Sequence, residues 1–541
     1  MRTMTPSNSQ KFCFVFFATV LAATAFAQAP VVNPSIQKAL YLVETEQTQK
    51  AIQEIDQAIA ASPTDASLLY YAGYIKLKVN NKAAALDSFE KGIKLNEKEP
   101  LNYVGKAQLN LLDGKPADAK LNFDKALGLG KKNVTVLKAI GGAYLVDNKY
   151  LVEAINTLNK AKGISPTDFE VHILLGDAFL LQNTNAGQAV SSYEEAARLM
   201  PTSAKALYKV GLVFDRAKNY ENSVENYNKA IAADPKYTLA YKDLGEIYYK
   251  IKEYAKAVTA YEKYLELTEK PEAVQFQYAF YLFAAKDYTK SNEIFKKLAS
   301  APDVKNVTLR FYAKSLYEVG EFPQCIAIYD KYFTQAKSEE IEANDYEYYG
   351  RALLKLKKDS LAIVGLKKSL KLNVEQPEIL QLVADTYLKI KKFPEAIEEY
   401  KKLMASRKKP LSLDYFSIGR AYYYNNQFIQ ADSAFTKLVE MQPTMTVGYL
   451  WQANTKSGLD PDQTQGLAKP YFEKLIEIAS VNPEKNKGDL IKAYEYLAPY
   501  YYNVKHDIPS AKTYYEKLLV LQPDNTTVKE NIEILKKSIK K

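Results

Sequence analysis

The chain has 541 residues, 47% hydrophobic and 25% charged, which excludes both a disordered chain and a bundle of membrane spans. Two cysteines exclude a disulfide framework, and two histidines, His172 and His506, exclude a histidine-built metal centre. The formal charge of +10 is local. Residues 351–410 hold 15 Lys/Arg against 7 Asp/Glu, and once Arg2 and Lys11 are set aside the rest is close to neutral.

In chain order, the first predicted element is a targeting segment. Arg2 and Lys11 precede the uncharged apolar run Phe12 to Ala27, and Ala25-Phe26-Ala27 offers small residues for cleavage before Gln28. This is the pattern of a signal peptide over residues 1–27, and the run is too short for the roughly 20 residues of a spanning helix. An uncleaved anchor is the alternative. Residues 28–34 read as a linker, and no later stretch reads as transmembrane.

From Ser35 the pattern Ala-x3-aromatic-x2-small-x4-Pro recurs about every 34 residues. It is seen at Ala51/Ile55/Ala58/Pro63, Ala154/Leu158/Ala161/Pro166 and Ala189/Tyr193/Ala196/Pro201. It returns at Tyr227/Ala230/Pro235, Ala431/Phe435/Leu438/Pro443 and Ala511/Tyr515/Leu518/Pro523. The spacings fall on one helical face, and a fixed period of this length marks a repeat array. A first helix in each unit carries its own small residue: Gly73, Gly142, Gly176, Gly211, Gly245, Gly350 and Gly419, or Ala39, Ala107, Ala279, Ala313, Ala384, Ala453 and Ala498. Glycine inside a helix costs about 1 kcal/mol relative to alanine, so its recurrence implies a close helix crossing.

The stretches ALYKVGLVFDRAKNYENSVENYNKAIAADP (206–235) and AYKDLGEIYYKIKEYAKAVTAYEKYLEL (240–267) resemble the tetratricopeptide repeat family. The resemblance covers nearly all of the chain after the leader. It implies an all-α, right-handed solenoid of about 14 helix-turn-helix repeats over 35–525, with residues 526–541 as a C-terminal capping helix. Three departures stand out: Ser291 in place of alanine, the extra loop GLDPDQTQG after residue 457, and Pro499, which should bend or shorten its helix. The pattern loosens near 299–306 and 335–344, where one array could divide into two arms.

No catalytic, cofactor or metal constellation is legible. His172 lies among core positions, Cys325 fills a small-residue slot, and acidic residues alternate with lysine along exposed faces. The family resemblance puts first helices on the concave wall. In the register of the small residue, its inward positions are Tyr70, Tyr74, Tyr208, Lys242, Glu246, Tyr249, Phe280, Arg310, Lys314, Tyr317, Glu347, Arg351, Arg420 and Tyr423. Of these, Tyr208, Lys242, Tyr249, Phe280, Arg310, Lys314, Tyr317, Arg351, Arg420 and Tyr423 are the candidate partner-binding residues. Aromatics offer area at low entropy cost, and arginine can fork onto carboxylates. A lysine–asparagine clamp for a partner's terminal carboxylate is not expected, because Lys242 is followed by Glu246 where that pattern has asparagine.

The expected function is a non-enzymatic scaffold in the bacterial cell envelope, periplasmic or secreted, binding a protein or peptide in its groove. The alternative is an anionic glycan or lipid on the basic segment 351–410, with peripheral contact to anionic envelope components. Nucleic acid is not an expected partner of an exported chain.

Overall fold

The computed structural model describes residues 33–182, 185–268 and 272–539; the expected leader and most of the linker lie outside them. No strand occurs among the described residues. The chain divides into two compact units, 1–271 and 272–541. The division falls ahead of 299–306 and 335–344, and both of those segments lie inside the second unit.

The described residues of the first unit form seven helical hairpins. They are α1 (Pro34–Glu44) with α2 (Thr48–Ala61), α3 (Ala66–Lys78) with α4 (Lys82–Leu95), and α5 (Pro100–Leu112) with α6 (Pro116–Gly130). Next come α7 (Val134–Tyr144) with α8 (Leu151–Ile164), α9 (Phe169–Leu181) with α10 (Ala186–Leu199), α11 (Ala204–Arg216) with α12 (Tyr220–Ala233), and α13 (Thr238–Lys250) with α14 (Tyr254–Leu267).

The second unit repeats the plan. It pairs α15 (Glu272–Ala284) with α16 (Tyr288–Ala299), α17 (Asn306–Glu318) with α18 (Phe322–Gln335), α19 (Ala343–Lys355) with α20 (Asp359–Leu372), and α21 (Pro377–Lys389) with α22 (Phe393–Ser406). Then follow α23 (Ser412–Tyr424) with α24 (Phe428–Met441), α25 (Thr446–Leu459) with α26 (Lys469–Ala479), and α27 (Lys487–Asn503) with α28 (Ile508–Leu521). The last helix, α29 (Thr526–Ile539), buries Val528, Ile532 and Leu535, which closes the apolar end of the last hairpin.

Nine of the hairpins turn through one left-handed residue. Asn80, Gly114, Lys218, Lys252, Lys286, Gly320, Lys357, Lys391 and Asn426 hold positive φ at this place. The N–H after each reaches back five residues to a carbonyl, as Glu253 does to Tyr248 (2.8 Å) and Lys392 to Tyr387 (2.9 Å). This bond satisfies an orphan carbonyl at the end of the first helix and turns the chain into the second.

The small-residue slots do what their spacing implies. A Cβ at Gly73, Gly176, Gly211, Gly350 or Gly419 would meet the aromatic or leucine ring position of its own second helix, respectively Phe89, Tyr193, Tyr227, Leu366 and Phe435. One register assignment is corrected: Gly141 abuts Leu158, whereas Gly142 faces Leu174 with room for a methyl group. Ser291 is accommodated because its hydroxyl donates to the Ala279 carbonyl (2.9 Å), the bond Ser223 makes to Gly211. Pro499 does not shorten its helix: α27 continues to Asn503. The inserted loop folds around buried Asp460, which accepts from the N–H groups of Gln465 and Leu467.

Candidate partner-binding grooves

First-helix side chains carry the candidate residues, and most are engaged by a neighbouring repeat. Tyr208 is buried; it stacks on Tyr227 and donates to Asp243 of the next first helix at 2.6 Å. Burial, with a smaller opposing effect from that bond, lifts the Asp243 carboxyl to about 6. Lys209 reaches Asp177 at 2.8 Å and Lys250 reaches Asp215 at 3.2 Å, so polar groups on successive first helices form a ladder.

In the second unit the same ladder absorbs two predicted cations. Arg310 meets Glu342 at 2.6 Å and Asp345 at 3.3 Å, and also bonds Tyr332 and the Glu340 carbonyl. Lys314 meets the other oxygen of Asp345 at 3.3 Å, and both Lys314 and Asp345 are buried. Burial holds the Lys314 ammonium below its ordinary range, with Asp345 opposing. Arg310 and Lys314 are thus committed to fixing α17 against α19. Arg351 pairs with Glu347 one turn back (2.8 Å), and Tyr317 packs edge-on against Tyr348 and Phe322. Phe280 packs edge-on against Phe311, Tyr249 lies tilted against Tyr254, and Tyr70 lies in the core beside Tyr74.

Arg420 differs. It projects from α23 between the rings of Phe416 (5.4 Å) and Trp451 (5.8 Å). Its Nε is buried and has no hydrogen-bond partner among the described residues. Tyr423 stands edge-on to the same tryptophan at 5.3 Å. Arg420 lines a groove of about 680 Å³ between α21 and α23, with Lys389, Lys391, Phe393, Phe416 and Tyr424 on its walls. Asp385, also on the wall, accepts from Tyr400. The sequence points to Arg420 and Tyr423, and to Lys389 and Lys391 as part of the basic segment 351–410, but not to Phe416 or Trp451. Trp451 is the chain's single tryptophan, two residues before the Ala453 slot, and its rarity was the signal.

Part of the basic segment is paired with carboxylates. Lys367 and Lys402 share the buried Glu399, Lys389 pairs with Asp359, Lys401 with Glu398, and Arg407 with buried Asp414. Among the described residues no group of three or more His, Cys, Asp or Glu could hold a metal ion, and no helix is long and apolar enough to cross a membrane. His172 is buried, with Nε2 2.8 Å from the Pro166 carbonyl, and burial pushes the Cys325 thiol up to about 12.

Two family models, each described as tetratricopeptide repeat, match residues 36–100, 173–238 and 208–274, and residues 415–445. The C-terminal part of a TPR repeat-containing protein from Cytophaga hutchinsonii is 32% identical, over 48% of this chain and 99% of that one, with a TM-score of 0.41. The chain belongs to the tetratricopeptide repeat family. Other similar structures are a tetratricopeptide repeat protein from Parabacteroides merdae (22% identical, 48% of this chain and 99% of that one, TM-score 0.32) and MamA (27% identical, 30% and 93%, TM-score 0.26). No curated protein matches the chain. As a tetratricopeptide repeat protein it has the architecture of a scaffold for protein–protein interaction.

Proposed function

We infer that the protein is an exported, non-enzymatic scaffold of the cell envelope that takes an acidic segment of a partner protein into the Arg420 groove. The observation that carries this reading is the Arg420 guanidinium, framed by two aromatic rings and lacking an acceptor on Nε. A buried donor without a partner is costly, and a carboxylate entering the groove would relieve that cost with a charge-assisted bond. Lys391 on the rim adds attraction for the same ligand, while the rings supply the apolar area typical of a binding anchor. The other candidate cations Lys242, Arg310, Lys314 and Arg351 already face carboxylates, which supports placing the anchor at Arg420. Export rests on the leader pattern of residues 1–27.

The test is crosslinking of intact cells with a membrane-impermeant reagent, followed by capture of the full chain. A stoichiometric protein partner is expected, lost in Arg420→Ala and in Trp451→Ala, with helicity unchanged. Capture that survives both substitutions but fails in Lys367→Ala/Lys368→Ala would move the binding surface to the basic helix face and favour the glycan or lipid. No crosslink from outside the cytoplasmic membrane would overturn export.

A further inference from the structure

The first unit holds a site that neither the repeat pattern nor the groove register points to. The end of α1 and the turn after it lie against α11 to α14, some 193 residues further along. Glu44, Thr45 and Glu46 each make a polar contact across this junction. Glu44 accepts from the Tyr237 hydroxyl at 2.6 Å and lies 3.3 Å from the Lys205 ammonium. The Thr45 carbonyl accepts from the Thr238 hydroxyl at 3.0 Å. Glu46 meets Lys242 at 2.9 Å and the hydroxyl of Tyr264. Tyr41 donates to Asp234 at 2.8 Å. Thr45, Tyr237, Thr238 and Tyr264 are buried by this contact or beside it.

The receiving side reads as a built receptor. Two ammonium groups, two phenols and a threonine hydroxyl converge as donors on two carboxylates and a backbone carbonyl, and one carboxylate waits for a tyrosine. The occupant has matching chemistry, Tyr-x-x-Glu-x-Glu over residues 41–46. Glu46 also breaks the pattern of its own turn. It sits at the left-handed place, φ 58°, with the Gln47 N–H returning to the Leu42 carbonyl at 2.7 Å. In the other hairpins with that bond the place holds lysine, asparagine or glycine. A glutamate there gains nothing for the turn but directs its carboxylate onto Lys242.

We propose that Lys205, Tyr237, Thr238, Lys242 and Tyr264 form a receptor for an acidic Tyr-x-x-Glu-x-Glu segment of a partner protein, held closed in cis by this chain's own residues 41–46. The tether keeps the cis segment at high effective concentration, so a trans segment binds only by displacing it. Displacement frees α1 and α2 from the distant repeats while leaving them packed on α3. The receptor is separate from the Arg420 groove and belongs to the other unit, so the two readings stand or fall independently.

The experiment measures capture of a fluorescent peptide spanning residues 36–50 by the full chain. The variant Glu44→Gln/Glu46→Gln, which opens the clasp, is expected to bind it at least tenfold more tightly than the native chain. Adding Lys205→Ala/Lys242→Ala should remove that gain, and raised salt should weaken it. Hydrogen exchange at residues 41–47 should rise in the opened variant while α5 to α10 keep their protection. The exchanged pair Glu46→Lys/Lys242→Glu should restore protection at 41–47. Equal binding by native and opened chains, indifference to Lys205 and Lys242, or no recovery in the exchanged pair would overturn the proposal. Dimerisation of the opened variant in place of peptide capture would assign the receptor to a second copy of the chain and also overturn it.

Discussion

Substituting alanine for Gly211 should destabilise its repeat, while the same change at Gly128 should stabilise its own. A Cβ on Gly211 would stand 2.6 Å from two ring carbons of Tyr227. Unstrained carbon contacts lie at about 3.5–4.0 Å, so the methyl overlaps the ring by roughly 1 Å. The ring has no room to retreat: Tyr227 is fully buried and stacks on Tyr208, which is tied to Asp243. Overpacking of this kind costs about 1–3 kcal/mol, and alanine's better helix propensity returns about 1 kcal/mol. The net is a loss of up to about 2 kcal/mol. At Gly245 the nearest ring atom is 3.2 Å away, so a shift of a few tenths of an ångström suffices and the two effects nearly cancel. At Gly128 nothing lies within 4 Å, and alanine should gain about 0.5–1 kcal/mol. Because neighbouring repeats need not unfold together, the assay is residue-resolved hydrogen exchange rather than one melting temperature. The expected order of stability is Gly128→Ala, then Gly245→Ala, then Gly211→Ala. Undiminished protection across α11 and α12 in Gly211→Ala would refute the steric argument.

Two further outcomes follow from buried charge. The Asp243 carboxyl titrates near 6 instead of near 4, so between those values the folded state binds more protons than the unfolded one, and stability falls as pH rises through that window. Local exchange in α11–α13 should therefore show a loss on the order of 2 kcal/mol between pH 4 and pH 6, with Asp243→Asn flattening the slope. Asp345→Ala would leave Arg310 and Lys314 facing each other with their shared carboxylate gone, at a cost of about 3–5 kcal/mol read as lost protection in α17 and α19; unchanged exchange there would contradict the network.

The helical array was legible because its signals are local and periodic. Phe89, Tyr193, Tyr227 and Phe435 recur where a small residue on the first helix makes room, and the fixed spacing reveals both partners. The left-handed turn was less visible, since lysine at Lys218, Lys252 and Lys286 carries no turn signature of its own. The candidate site was legible only in part, for a physical reason. A residue three before the small slot points toward the next repeat, about 35 residues on, and that repeat's side chains decide whether it is free. Tyr208 finds Asp243 and Arg310 finds Glu342 and Asp345, whereas the guanidinium of Arg420, one place after its slot, finds two aromatic rings. The Glu44–Lys205 and Glu46–Lys242 pairs were out of reach, because nothing in a 34-residue period relates positions some 160 to 200 apart.

These contacts change what the positive charge of the chain means. Lys367, Lys389, Lys401, Lys402 and Arg407 in the basic segment face carboxylates of their own or adjoining helices. Exposed pairs of this sort contribute little stability, yet they lower the field that a polyanion would feel. At these five positions attraction by charge alone is therefore weaker than the count of basic residues suggests. What remains is directional. Arg420 presents a guanidinium whose plane is held by Phe416 and Trp451, and a planar donor held in place favours a carboxylate approaching along one line. The Lys205–Lys242 receptor already displays the same preference with its ligand in place, as two glutamates met by ammonium and phenol donors. In the first unit the acidic ligand is part of the chain; under the proposed function the second unit takes it from another molecule, which is the arrangement a scaffold needs if one site is to be kept closed and the other open.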